Sequence, residues 1–424
     1  MHKLISLVLL PLVLSAPAAL GQQAGGEDEN VTSALANADL AAEEDQADEA
    51  APAAASGPGE EAADCRTACL TYGLTVKLQS DVALSARPSS DTGSDTGLTS
   101  DLELGFDATG NLTFAGVITA ETVSDWEPGT DSALRDMGIF VAALYAEYAT
   151  DPLTLRAGKF DPRFGLGSDQ LDLISAAGLS DAYDTEERLG LEATLSFPGD
   201  LISHAVTGSL FTTDRTLLSR SLGTDRGQQS LSDGGAGNVT GLGSAALYYD
   251  LCSGGRVETC FIEGDFGARL GVRYQKAGRA TQDDIEDDIT PHDEIGYLGA
   301  ATARLPLAGE QKVRLLGEVA YFRHFEGSPD NALIGTGSVA FDIGPVAYAG
   351  TYSVQRNFLT DGSDTTDRVL GLAARYDLDE SGVFQGQDWT LDAGYSFARR
   401  GDGTAENKIG VSLTVAFGGM QAFR

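Results

Sequence analysis

The most regular feature of the chain is a two-residue alternation of apolar and polar side chains, which begins near residue 70 and continues almost to the C-terminus. Clear examples lie at 189–197, 389–398 and 408–417. Because successive side chains of a strand point to opposite faces, this alternation predicts strands with one apolar and one polar face. We count sixteen segments: 70–84, 98–107, 111–121, 139–149, 152–160, 188–197, 202–213, 242–251, 264–276, 293–305, 311–325, 332–342, 345–357, 367–377, 388–399 and 407–417.

The links between these segments differ in length in a regular way. Most links after even-numbered segments are short, whereas several links after odd-numbered segments are long, the longest being 161–187 and 214–241. Short turns at one end, long loops at the other and an even strand count are typical of a transmembrane barrel. The sequence therefore predicts an all-β fold, a transmembrane antiparallel up-and-down β-barrel of about 16 strands.

Aromatic residues on the apolar face fall at both ends of the predicted strands. Two aromatic girdles are typical of a barrel whose rings lie at the two membrane interfaces. The short-turn girdle is predicted to contain Tyr72, Tyr148, Phe197, Tyr249, Phe266, Tyr376, Trp389 and Phe417, and the long-loop girdle Phe140, Tyr274, Tyr321 and Phe397.

The N-terminal residues predict export. Lys3, an apolar run at 4–14 and small residues at Ala19 and Gly21 form a signal peptide over 1–21. Residues 22–64 contain twelve carboxylates and no Lys or Arg, so we predict a disordered acidic periplasmic extension, with the outer-membrane barrel at 65–424. No uninterrupted apolar stretch of 18 residues follows the signal peptide, so spanning helices are not expected.

The net charge of −35 argues against nucleic acid as a partner, because an acidic surface repels polyanions. The partners expected instead are outer-membrane lipid and lipopolysaccharide, the outer-membrane assembly machinery and small polar solutes.

Two sequence segments carry a family resemblance. LRAGKFDPRFG at 155–165 resembles a strand-to-loop signature of the phosphate-selective porin family, and GLSDAYDTEERLG at 178–190 is similar to alphaproteobacterial porin-like proteins. The resemblance implies a Gram-negative outer-membrane porin, and resemblance to sixteen-stranded porins suggests a homotrimer. The acidic composition departs from the basic pores of phosphate-selective channels. At the C-terminus, either Phe417 ends the last strand, or the following glycines form a bulge and Phe423 serves the assembly machinery.

Charged residues on the polar face of the strands are predicted to line a water-filled lumen, because they would be costly against lipid. For each of them separately, a solvated lumen residue in an ion pair is the simpler interpretation. The predicted pore-lining residues are Lys77, Glu147, Arg156, Glu192, Arg269, Arg273, Arg314, Glu318, Arg375 and Asp392.

The long link at 161–187 contains an apolar stretch at 171–179, which an exposed loop does not need. We therefore predict that it folds inward, narrows the lumen and turns carboxylates toward wall arginines such as Arg156, Arg269, Arg273 and Arg314; an external cap is the competing interpretation. The predicted constriction residues are Asp169, Asp172, Asp181, Asp184 and Glu186, with Glu187 beside them.

Four cysteines lie at the predicted periplasmic end, in an oxidising compartment. Strands one and eight are on opposite sides of a sixteen-stranded barrel, so local disulfides are favoured, Cys65 with Cys69 and Cys252 with Cys260. Zinc is the weaker alternative, and no metal site is predicted. The acidic outer loop at 282–294 suggests calcium, although a solvated loop fits its irregular spacing better.

These features predict a porin that allows passive diffusion of small polar or ionic solutes through a lumen narrowed by the 161–187 loop. The alternatives are a substrate-selective channel of the anion or phosphate type, and a structural or adhesive barrel. No nucleophile motif accompanies His204, His292 or His324, so no enzyme and no cofactor are expected.

Overall fold

The computed structural model describes residues 68–87, 92–123, 130–167, 179–226, 229–253, 260–282, 285, 289–309, 311–379 and 387–422. The predicted signal peptide and acidic extension lie outside these residues. Within the described residues, no helix is both long and apolar enough to cross a membrane.

Strands account for most of the described chain. Two of them, β4 and β9, are short additions to loops, and sixteen are long. The strands are β1 (Cys69–Arg87), β2 (Gly93–Thr109), β3 (Leu112–Thr122), β4 (Asp131–Ala133), β5 (Met137–Thr150), β6 (Leu153–Phe160), β7 (Arg188–Phe197), β8 (Ile202–Thr213), β9 (Leu222–Gly223), β10 (Ser244–Ser253), β11 (Phe266–Gln275), β12 (Glu294–Pro306), β13 (Lys312–Arg323), β14 (Asn331–Ile343), β15 (Val346–Phe358), β16 (Asp364–Asp377), β17 (Asp388–Arg399) and β18 (Ala405–Ala422).

The sixteen long strands close into one barrel. Each is antiparallel to the long strands before and after it, and β1 pairs with both β2 and β18. The predicted sixteen-stranded up-and-down barrel is thus confirmed, and each predicted segment overlaps one long strand.

The last strand runs further than Phe417. Its register with β1 continues through Tyr72↔Gly419 to Cys69↔Ala422 without a shift, and the one irregularity in this pair lies between Ala83 and Ser85. Both readings of the C-terminus were therefore wrong about the strand, which neither ends at Phe417 nor bulges at the glycines. Phe423 lies outside the described residues.

The outer face of the barrel is apolar. Exposed side chains such as Leu191, Leu247 and Tyr297 alternate with buried or half-buried inward residues. Tyr72 and Phe197 near the short-turn end, with Tyr274 and Tyr321 near the long-loop end, are outward and exposed as predicted.

Phe140 is a correction to the predicted long-loop girdle. Where β5 pairs with β3, Val117 lies opposite Ala143 and Ile118 opposite Val141, so Ala142 is an extra residue. Because of such a bulge, side chains before it and after it follow opposite alternations between the two faces. Phe140 therefore faces inward and is only 5% exposed.

Candidate functional site

The loop between β6 and β7 enters the barrel. Its described parts are 161–167 and 179–187, which include a 3₁₀ turn at Ser180–Tyr183. Phe164, Leu166 and Tyr183 are each 2% exposed and form one apolar cluster with inward residues of the wall. Those wall residues come from strands β12 to β14 and β16: Leu298, Ala300, Leu316, Ala320, Phe322, Ile334 and Ala373.

The strand order shows how far this loop reaches. Five strands, β7, β8, β10, β11 and β12, separate β6 from β13 along the wall. A loop that leaves β6 and packs on β13 therefore extends across much of the interior. The packing includes edge-to-face contact between Phe164 and Tyr183, at a ring-centroid distance of 6.4 Å.

Glu318 on β13 binds the loop through hydrogen bonds. Its carboxylate accepts the backbone N–H groups of Leu166 and Gly167 and the hydroxyl of Tyr183. Burial and the neighbouring Glu318 carboxylate raise the pKa of Tyr183, so its hydroxyl keeps the proton that it donates. A Cβ at Gly167 would lie 2.6 Å from Cβ of Ser180, so this crossing of the two loop segments requires glycine.

Arg269 on β11 contacts the loop backbone. It donates to the carbonyl oxygen of Gly165 at 3.0 Å, while two of its nitrogens bind the carboxylate of Asp250 at 2.7 and 2.9 Å. The guanidinium also stacks on the ring of Tyr248, 4.4 Å from its centroid.

Arg273, two inward positions further along β11, holds the other segment of the loop. It donates to the Tyr183 carbonyl and, at 2.8 Å, to the hydroxyl of Thr185. Its remaining terminal nitrogen binds Glu294 at 2.8 Å. These wall arginines thus bind backbone oxygens of the loop and carboxylates of the wall, whereas the sequence had suggested that loop carboxylates would face them.

The other predicted pore-lining charges also occupy inward positions, and most form ion pairs within the wall. Arg156 binds Glu147 at 2.8 Å and Glu192 at 3.4 Å. Arg314 binds Asp342 at 3.0 Å, and Arg375 binds Asp392 at 2.8 Å. Lys77 faces inward by its register with Thr99 and Thr414, away from the exposed Leu78.

The predicted constriction carboxylates Asp181, Asp184 and Glu186 line a cavity at the long-loop end. The cavity has a volume of about 390 Å³ and is also bordered by Arg188 and Arg226. Asp169 and Asp172 lie outside the described residues.

Two carboxyl groups of this cavity, those of Asp181 and Glu186, have raised pKa values and so ionise less readily than exposed ones. Burial raises the pKa of Asp181. Burial also raises the pKa of Glu186, and the negative charges of Asp161, Glu187 and Asp181 raise it further. Arg188 is the cation that opposes this shift at Glu186.

A buried ion-pair network at the rim was not predicted from the sequence. Lys159 is fully buried, 2.7 Å from Glu187 and 3.2 Å from Asp214, and Arg226 binds Glu187 through two nitrogens. The guanidinium of Arg226 lies 3.5 Å from the ring centroid of Phe140.

The chain around β9 explains this network. Lys159 pairs in register with Leu144 and Leu189 on the outward face, yet the loop after β8 covers it and β9 pairs with β5 at Gly138 and Ile139. A lysine at an outward position is costly against lipid. The outward position of Lys159 in the alternation was therefore the signal in the sequence that another segment covers it.

A disulfide joins Cys252, near the end of β10, to Cys260 in the one-turn helix α1 (Cys260–Glu263). Cys69 is also disulfide-bonded. Its predicted partner, Cys65, lies outside the described residues. No group of three or more potential metal-binding side chains occurs among the described residues, which omit most of the acidic stretch at 283–288.

No protein-family model and no curated protein matches the chain. Among solved structures, it is similar to OprB of Pseudomonas putida, with a TM-score of 0.51 and 12% identity over 82% of this chain and 94% of that one. The outer membrane channel DcaP of Acinetobacter baumannii has a TM-score of 0.49 and 12% identity, over 83% and 98% of the two chains. Pseudomonas aeruginosa OpdK, solved with vanillate, has 0.46 and 11%, over 82% and 99%.

At such identities the OprB match establishes the fold alone, and the fold is that of a porin-like barrel. The resemblance to the phosphate-selective porin family stays a prediction.

Proposed function

We propose that this chain is an outer-membrane porin, through which small polar or ionic solutes diffuse passively along a lumen narrowed by the 161–187 loop. The observation that carries the proposal is the position of this loop, with Phe164, Leu166 and Tyr183 packed on the inner wall. A loop anchored across the interior reduces the open cross-section, and a purely structural barrel has no evident need for one.

The inward charges support an aqueous path. Ion pairs such as Arg156 with Glu147 and Arg314 with Asp342 are only partly shielded from solvent, as expected where water fills the interior. Charges of both signs on the inner wall also favour polar permeants over apolar ones.

The cavity charges favour cations over the alternative of an anion- or phosphate-selective channel. Asp181, Asp184 and Glu186 border the same cavity, while the carboxylate of Glu187 neutralises the guanidinium of Arg226. A path lined in this way repels anions from the long-loop end. We therefore propose a general channel with a cation preference.

The proposed setting follows from the fold. The apolar outer face would contact outer-membrane lipid and lipopolysaccharide, the assembly machinery would insert the barrel, and a homotrimer is the assembly suggested by resemblance.

Single-channel recording in a planar bilayer tests the proposal. Protein folded in detergent should give stepwise conductance increments, and a salt gradient should give a reversal potential of the sign expected for cation preference. Heat-unfolded protein is the control. Folded barrels, identified by heat-modifiable gel mobility, that produce no conductance would refute the channel and leave a structural barrel.

A further inference from the structure

Four arginines lie on the outward face at the long-loop end of the wall between β13 and β17. Arg323 ends β13, Arg356 lies near the end of β15, Arg368 near the start of β16, and Arg399 ends β17. Each is an even number of residues away from an exposed outward side chain of its own strand and therefore also points outward. These exposed side chains are Tyr321, Tyr352, Leu370 and Leu391. We call these four residues the arginine row.

The arginine row lies at one level on the barrel. Arg323 and Arg399 each follow a girdle aromatic, Tyr321 or Phe397, by two residues, and Arg368 precedes the exposed Leu370 by two. Two residues of a strand span about 7 Å. The guanidinium groups therefore lie just beyond the apolar band, at the depth where lipid headgroups begin.

Two of these arginines are directly opposite each other. Arg368 and Arg399 form a register pair between β16 and β17, and both side chains are exposed. Like charges in this position repel each other. Among the residues that the structure describes, neither forms an ion pair with a carboxylate, whereas Arg356 binds Asp364. Unpaired cations opposite each other indicate that an anion from outside the chain belongs between them.

We propose that the arginine row binds the phosphate groups of lipopolysaccharide in the outer leaflet, with Arg368 and Arg399 as the central pair. The inference rests on the proposed outer-membrane location, and it adds a specific binding surface to it. Guanidinium groups suit this partner because they bind phosphate oxygens through two parallel N–H donors. The chain as a whole carries a charge of −35, so attraction to an anionic lipid must come from a local cluster of this kind.

Binding of purified lipopolysaccharide to the detergent-folded full chain tests the proposal, with EDTA present so that divalent ions cannot bridge carboxylates to phosphate. The double variant Arg368→Gln/Arg399→Gln should bind about 25-fold more weakly, at about fivefold for each arginine near an anionic surface. Arg368→Lys/Arg399→Lys keeps the charge and should recover part of the affinity. Arg135→Gln/Arg279→Gln removes the same charge from outer loops and should bind like the wild type.

A second arm uses enzymatically dephosphorylated lipopolysaccharide, which the wild type should bind as weakly as the Gln double variant binds intact lipid. Equal affinity of wild type and Gln variant for intact lipid would overturn the proposal, and so would undiminished binding after dephosphorylation. Conductance of the Gln variant should equal that of the wild type, because both side chains face away from the lumen. Loss of lipid binding with normal conductance thus separates this inference from the channel function.

Discussion

Glu318 is the residue whose removal should change the channel most directly. Glu318→Ala deprives three donors of their acceptor: two backbone N–H groups and the hydroxyl of Tyr183. Each buried donor left unsatisfied costs about 1 to 3 kcal/mol. Even the lower limit, about 3 kcal/mol for three donors, changes the ratio of docked to undocked loop by about 150-fold.

Single-channel conductance and liposome swelling measure the result. In Glu318→Ala we expect a higher mean conductance, more open-channel noise and faster entry of larger sugars, because Arg269 and Arg273 then hold the loop without the hydrogen bonds to Glu318. Glu318→Gln keeps one acceptor oxygen and should be intermediate. Glu318 forms no ion pair with a described residue, so the substitution leaves no cation stranded in the wall.

Asp342→Ala is the matched control. It also removes one inward carboxylate, and its partners, Arg314 and Lys312, lie at the start of β13, toward the short-turn end. If Glu318→Ala has the conductance and sugar permeability of Asp342→Ala and of the wild type, the loop does not restrict the path and our reasoning about the constriction is wrong.

Three further predictions concern the charge, the rim and the disulfides. Because burial raises the pKa of Asp181 and Glu186, these carboxylates should lose their charge at milder acidity than exposed ones; cation preference, read from reversal potentials, should fall as the pH is lowered from 7 to 5. The Asp181→Asn/Glu186→Gln variant should already have a lower cation preference than the wild type at pH 7, and this preference should change little as the pH falls. A pH profile identical to that of the wild type would contradict the assignment of the pH effect to these two carboxylates. Lys159→Met should cost about 3 to 5 kcal/mol by leaving Asp214 buried without its cation, whereas Glu187 keeps its ion pair with Arg226. The heat-modifiable gel band should then convert at a lower temperature, whereas an unchanged conversion temperature would mean that the network adds nothing. Mass mapping of unreduced protein should find Cys252 linked to Cys260 and Cys65 to Cys69, and peptides that link the two pairs would contradict the predicted topology.

The barrel could be predicted from the sequence because its alternation is a local property. Each long strand has a period of two, and the differences in loop length distinguish the two ends. The inward position of Phe140 could not be predicted, because the bulge at Ala142 depends on how β3 and β5 pair. The apolar–polar alternation on one side of an inserted residue does not reveal the insertion.

The site was less accessible to sequence reasoning. The inward positions of Arg269 and Arg273 followed from parity, but their binding of the Gly165 and Tyr183 carbonyls did not, since backbone acceptors carry no sequence signature. The covering role of the segment around β9 was also missed. Its two strand residues are too few for any periodic signal. The only indication in the sequence was indirect, namely that the alternation along β6 places Lys159 on the outward face.

The contacts that fix the position of the loop are largely independent of the charges on its side chains. Of the three described hydrogen bonds from Arg269 and Arg273 to the loop, two end on main-chain oxygens, and two of the three that Glu318 accepts come from main-chain nitrogens. Every amino acid supplies these groups, so exchanges at Asp181 or Glu186 leave them in place. A lineage that carries this barrel can therefore change the solutes it admits through single codon changes in the loop, while the scaffold that positions the loop stays the same.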